Sequence, residues 1–217
     1  MMKGLGQALR FQLQVGGQIQ NAELRFATQT ELRRYHRSLT TSARDPDQIV
    51  RDAVEFTRLA AKRWRYYENA GEAAETVAQL QRAIHSDARC EIAFIMIATT
   101  KLEGRRAPVG LAYCRRTWCH HLALDFLALH PRSLGGESIA GVGSGIIYGL
   151  VQLAESLGID RIWGEATAHS ASFYEKLLEL RPVLDLFLID ARGMAAIRNR
   201  QAKLQAKGLA AAGPTGL

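Results

Sequence analysis

The chain has 217 residues, 47% of them hydrophobic and 23% charged, with a formal charge of +7 and a pI near 9.6. That length suits one domain with extensions, and the composition is ordinary for a soluble globular protein. No apolar run approaches the roughly 20 residues of a membrane span, which argues against a membrane partner, and MMKGLGQALRFQLQVGG is too broken by Gln and Arg for a signal-peptide core. Three cysteines, Cys90, Cys114 and Cys119, are odd in number and lack a CxxC spacing. They read as reduced thiols of a cytoplasmic protein. The basic excess admits an anionic partner, either a phosphate-rich cofactor or nucleic acid, although the basic residues are spread rather than gathered.

Residues 1–20 alternate apolar and polar positions (Leu9, Phe11, Leu13, Val15) around Gly16-Gly17, the pattern of a hairpin or of a loose tail. Leu24 to Phe26 suits a short strand, and Thr28-x-x-Glu31 is a capping box that opens a short helix. Asp45, Pro46 and Gln48 mark a second helix start. Its apolar stripe runs through Ile49, Ala53, Phe56, Ala60, Trp64 and Tyr67. The run KRWRYY therefore reads as core aromatics beside solvated cations rather than as a nucleic-acid face. A further helix is expected over 71–85.

From Cys90 the period changes. CEIAFIMIATT, PVGLAYCRRTW and HLALDFLALHP read as three strands in antiparallel style, the last ended by Pro131. A glycine-rich segment follows, with Gly141, Gly143 and Gly145 alternating with Val142 and Ser144, then a helix over Ile146–Leu157 stopped by Gly158. The strand IDRIWGEAT, the helix ASFYEKLLEL and the strand VLDLFLID complete a mixed α/β sheet. From about 195 the chain reads as a frayed helix without a clear partner. Cys119-His120-His121 has metal-ligand residue types but no second ligand pair at useful spacing, so a hairpin turn and no metal are expected.

A glycine-rich turn running into a helix presents unpartnered N–H groups and the positive dipole end at one spot, which binds phosphate. A dinucleotide fold wants G-x-G-x-x-G directly after a strand and an acid at the end of the next one. The chain has G-x-G-x-G, ten residues after Pro131, and Asp160 precedes its strand. A P-loop needs a lysine after the glycines, and none follows.

Three pieces in order resemble the GNAT superfamily of acetyl-CoA-dependent N-acetyltransferases. Ser138-x-x-Gly141-x-Gly143 is similar to the Gln/Arg-x-x-Gly-x-Gly/Ala signature, and LDFLALHP resembles the bulged strand before it. TAHSASFYEKLL resembles the fifth-strand exit and helix, with Thr167 at an Asn position, Ser170 at an Ala position, and Phe173, Tyr174 and Lys176 matching. ELRFATQTEL is similar to the opening strand and first helix, so the resemblance covers roughly 21–190. It implies an α/β, mostly antiparallel, splayed central sheet flanked by helices. The domain would span 21–195, between an N-terminal extension (1–20) and a C-terminal tail (196–217). Ser138 replaces the usual Gln or Arg, the segment before Gly141 is longer than the common form, and Leu177-Leu178-Glu179 replaces Leu-Gly-Phe.

The resemblance also implies a site. Backbone groups of Leu127, Ala128 and Leu129 would pair with the pantetheine arm of acetyl-CoA, amides from Gly141 through Val142, Gly143 and Ser144 to Gly145 would take its pyrophosphate, and Thr167 and Ser170 would flank it. A bulge amide near Leu129 would polarise the thioester carbonyl. Tyr174 is the expected general acid toward the departing thiolate, and Asp125, Glu165 or His130 the expected acceptor of the amine's proton. The expected activity is direct acetyl transfer to a primary amine of a small molecule, peptide or protein. Two readings stay open beside it: toxin-like acetylation of an aminoacyl-tRNA, suggested by the +7 charge, and a non-catalytic CoA-binding regulatory module, suggested by the departures. A homodimer is also open, since sheet edges in the superfamily often pair between subunits.

Overall fold

The computed structural model describes residues 8–41, 48–130, 139–168, 170–179 and 182–211. Strand β1 (Leu9–Val15) turns at Gly16-Gly17 into β2 (Gln18–Phe26), with Leu9, Phe11, Leu13 and Val15 buried. The alternation at the start of the chain is thus a hairpin packed on the core. Helix α1 (Gln29–Thr41) opens on the capping box: the Thr28 N–H donates to Glu31, and the Glu31 N–H donates to the Thr28 hydroxyl. Helix α2 (Gln48–Asn69) buries Trp64 and half-buries Tyr67, while Tyr66 stays exposed. The Asp45 and Pro46 of its expected cap lie outside the described residues.

The expected helix over 71–85 is shorter than its pattern. Residues Ala73–Ala74 form β3, parallel to the next long strand, and α3 (Val77–Ser86) begins only after Thr76, whose side chain accepts from the Gln79 N–H. Three long strands follow: β4 (Ile92–Leu102), β5 (Arg105–Arg116) and β6 (Leu122–Leu129). Then come β7 (Ile139–Ala140), α4 (Val142–Ser156), β8 (Ile162–Glu165), α5 (Ala171–Leu178), β9 (Leu186–Ile189) and α6 (Ala191–Ala211). The sheet order is β7-β1-β2-β4-β5-β6-β8-β9, with β3 beside β4. Among the described residues only the β6–β8 and β3–β4 pairs are parallel. The mostly antiparallel, splayed sheet flanked by helices is the architecture expected.

Alternation along β5 sorts the helices into two layers. Gly110 faces Val142 and Ile146 of α4. Arg115 faces the other way, toward the α2 layer that carries Arg63 and Tyr67. Helix α6, expected to fray without a partner, is packed. Met194, Ile197 and Gln201 are buried, the Gln201 amide donates to the Gln12 carbonyl, and Arg198 pairs with Glu155 of α4. Among the described residues no helix is long and apolar enough to cross a membrane.

The seat of α4 depends on one close approach. A Cβ at Gly145 would lie 2.0 Å from Cδ2 of the buried Phe11 ring, so only glycine lets the helix rest on β1 here. Gly145→Ala is expected to destabilise the fold by about 1–3 kcal/mol through overpacking. Urea unfolding checks this, and Phe11→Leu in the same chain should return part of the loss because the two residues share one contact.

Candidate active site

The decisive geometry lies along β6. On one side it pairs with β5 from Leu122 to Leu129; on the other it pairs with β8 only at Leu122, Ala123 and Leu124. Among the described residues no strand lies beside Asp125–Leu129 on that second side. The two strands part there and leave a wedge. Peptide groups of an extended strand alternate in direction, and the His130 N–H donates to Val109 of β5. By that alternation Ala128 turns its peptide groups to β5, whereas Leu127 and Leu129 turn theirs into the wedge. Ala128, expected to line it with them, is occupied by the sheet. Backbone groups in the wedge need a partner, and an extended ligand supplies one.

The parting point coincides with a β-bulge. Tyr113 pairs with Phe126 and Cys114 with Leu124, leaving Asp125 as the extra residue on β6. The bulge therefore sits at Asp125, not near Leu129, where the ladder with β5 runs regularly. Asp125 is nearly buried and held by Arg115, whose Nε and Nη2 donate to the two carboxylate oxygens at 2.6 and 2.9 Å. Arg63 of α2 stands 3.5 Å from the same carboxylate and over the Phe126 ring. Arg115 also donates to Glu91, which accepts from the Tyr67 hydroxyl. Burial raises the Glu91 pKa, but the bonds from Tyr67 and Arg115 outweigh it and hold the carboxyl below its ordinary value. The bond to Asp125, more than any other influence, raises the Arg115 pKa above its ordinary value. With both oxygens engaged, Asp125 is a clamp on the bulge rather than the proton acceptor expected of it.

At the far end of the wedge α4 begins. Its N-cap is Gly141, at φ +90°, a left-handed conformation that favours glycine. The helix starts among the glycines, four residues before the expected Ile146, because the Gly145 N–H already donates to the Gly141 carbonyl. Gly145 is thereby removed from the expected phosphate-binding amides. The N–H groups of Val142, Gly143 and Ser144 precede the first intrahelical bond and are the ones the helix leaves for another acceptor. The Ser144 hydroxyl donates to the Gly141 carbonyl and fixes the turn. Ser138 and Pro131 lie outside the described residues.

Helix α5 closes the wedge on the same layer. Phe173 stands over Gly143, where an added Cβ would meet its ring at 3.1 Å and Leu127 at 3.9 Å. Tyr174 is buried, stacked on Phe187 at 3.9 Å and edge-on to Phe173 at 5.0 Å. Burial, with a smaller push from neighbouring Cys114, raises its phenol pKa above the ordinary tyrosine value. Thr167 and Ser170 bond each other in the turn that leads into α5: the Thr167 N–H donates to the Ser170 hydroxyl at 2.9 Å, and the Ser170 N–H to the Thr167 hydroxyl at 3.3 Å. Their side chains are engaged within that turn.

The remaining proton acceptors separate clearly. Glu165 is exposed at the end of β8, paired with Leu186, just past the residue where β6 departs. His130 is fully buried beneath α1, its Nε2 3.0 Å from the Ser38 hydroxyl and its ring edge-on to Tyr35. It ties α1 to the end of β6. Residues 117–121 form the expected hairpin turn, with the Thr117 N–H donating to the His121 carbonyl. Cys119 lies 3.3 Å from the His121 Nδ1 there, and among the described residues no three His, Cys, Asp or Glu side chains converge as a metal site. The Arg115–Glu91–Tyr67 chain had no motif to announce it; the one available signal was an arginine and an aspartate on the two arms of the β5–β6 hairpin.

No family model matches the chain, and no curated protein does. Among solved structures it is similar to a spermidine N-acetyltransferase chimera of Vibrio cholerae SpeG and hSSAT (12% identity, 80% of this chain and 98% of that one, TM-score 0.45). The solved structures it resembles are GNAT acetyltransferases. A nourseothricin acetyltransferase matches at 18% identity over 39% of this chain, with a TM-score of 0.32. This chain spans about half of that enzyme, 48% of its length. A GNAT-family protein of Desulfovibrio desulfuricans matches at 13% identity over 78% of this chain and 99% of its own, with a TM-score of 0.42.

Replacing Asp125 by Asn leaves the near-buried Arg115 with a neutral partner at the bulge. Asp125→Asn should lower stability by about 2 kcal/mol in urea unfolding, since charge-assisted bonds to half-buried groups are lost. Glu165→Gln, at an exposed position, should leave the unfolding midpoint unchanged.

Proposed function

We propose that the protein is an N-acetyltransferase, moving acetyl from acetyl-CoA directly to a primary amine of a small molecule, peptide or protein. The observation that carries this reading is the wedge itself. A strand paired on one side to its end, and among the described residues abandoned on the other after Leu124, lies beside a helix start whose first three amides make no intrahelical bond. An extended amide-bearing arm with a diphosphate behind it matches that sequence of partners.

Acetyl-CoA supplies an activated thioester; the chain's own residues do the rest. Leu127 and Leu129 pair with the arm and align it along β6. Val142, Gly143 and Ser144 hold the diphosphate at the positive end of α4. The amine's nitrogen forms the new C–N bond as the C–S bond breaks, and Tyr174 gives its proton to the departing sulfur. The proton released by the amine goes to Glu165, the carboxylate left unclamped at the mouth of the wedge.

Acetyl transfer to a panel of amines, peptides and charged tRNAs, read by mass spectrometry, tests the reading; calorimetry with CoA tests the binding half alone. Tyr174→Phe should bind CoA as the parent does and lose about 100-fold in kcat, within the range of a removed acid. Because burial raises the Tyr174 pKa, the phenol keeps its proton through the ordinary tyrosine range. The parent's activity should hold up to about pH 10 and fall only above it. A tyrosine-like loss well below that pH contradicts the assigned role.

A further inference from the structure

A cavity of about 370 Å³ opens on the α6 side of the α4 start. Gln12 of β1, Gly141 and Ser144 form its floor, and Arg200, Lys203 and Lys207 of α6 line its wall. The three cations recur at i, i+3 and i+7, so they share one face of the helix. Among the described residues no carboxylate lines the cavity and neither lysine has an ion-pair partner. The carboxylates that α6 does meet lie elsewhere: Arg198 is taken by Glu155. Arg200 donates one bond to the Lys176 carbonyl and keeps further donors. Three positive charges that meet no carboxylate among the described residues, around a hollow of ligand size, call for an anion.

The cavity shares a wall with the proposed diphosphate site. Gly143 faces the wedge through Leu127 and Phe173, while Gly141, two residues before it, and Ser144, the next residue, line the cavity. A ligand whose diphosphate rests on these amides passes its nucleotide end into the reach of α6. We propose that this pocket binds the phosphomonoester on the ribose of coenzyme A, and that Lys203 and Lys207 make the protein select the 3′-phosphorylated coenzyme. The inference rests on the acetyltransferase reading and extends it to a helix outside the region of sequence resemblance.

Calorimetry on the full chain with CoA and with dephospho-CoA separates the two claims. CoA is expected to bind at least about tenfold tighter at low salt, the gap narrowing as salt rises. In Lys203→Ala/Lys207→Ala the gap should collapse toward onefold through weaker CoA binding, with dephospho-CoA affinity and the circular-dichroism melt unchanged. Adenosine 3′,5′-bisphosphate should compete with CoA where inorganic phosphate at the same concentration does not. Equal affinity of the parent for the two coenzymes overturns the phosphate pocket and leaves the acetyltransferase reading standing, whereas uptake of neither overturns both. Equal competition by inorganic phosphate overturns the nucleotide as its source.

Discussion

The grip of Arg115 on Asp125 holds β6 at the place where it must leave β8. A bulge adds a residue that the ladder cannot pair, and a strand left to itself would restore regular pairing by slipping. Two charge-assisted bonds to that extra residue oppose the slip. Arg115 is in turn anchored by Glu91, and Arg63 ties the same carboxylate to α2. Ions this far from water gain only when their bonds are complete, which is why the network extends to Tyr67 rather than stopping at the pair. The wedge is therefore a property of several elements at once, not of β6 alone.

The two helical layers divide the labour around that parting. On the α2 layer the charges are mutually engaged and serve to hold the backbone. On the α4–α5 layer the groups left over are backbone amides and a single buried phenol, with Phe187 stacked on its ring. Burial keeps that phenol protonated and makes it a weaker acid than a solvated tyrosine. His130, in contrast, is bonded to Ser38 of α1.

Local signals were legible and long-range ones were not. The Gly16-Gly17 hairpin, the Thr28/Glu31 box, the order of strands and helices and the glycine-rich entry to α4 all rest on neighbours within a few residues. The bulge at Asp125 could not be seen, since it exists only relative to the register of β5. Asp125 looked like a reactive carboxylate in an apolar strand because its partner is ten residues away across a turn. Gly145 looked like a phosphate ligand because nothing nearby announces Phe11 beneath it. Helix α6 looked frayed because its apolar residues are few; its contacts are made by Met194, Ile197 and Gln201, spaced over two turns among alanines and cations.

The resting of α4 on Phe11 has a bearing on how the molecule would fail. The hairpin that carries Phe11 stands near one border of the sheet, remote from the wedge along the strand order. Loosening that border would tilt the helix entrance before the central strands β4 and β5 gave way. Such a chain would keep its interior and most of its circular dichroism yet be unable to retain its ligand, a graded inactivation that global melting would overlook.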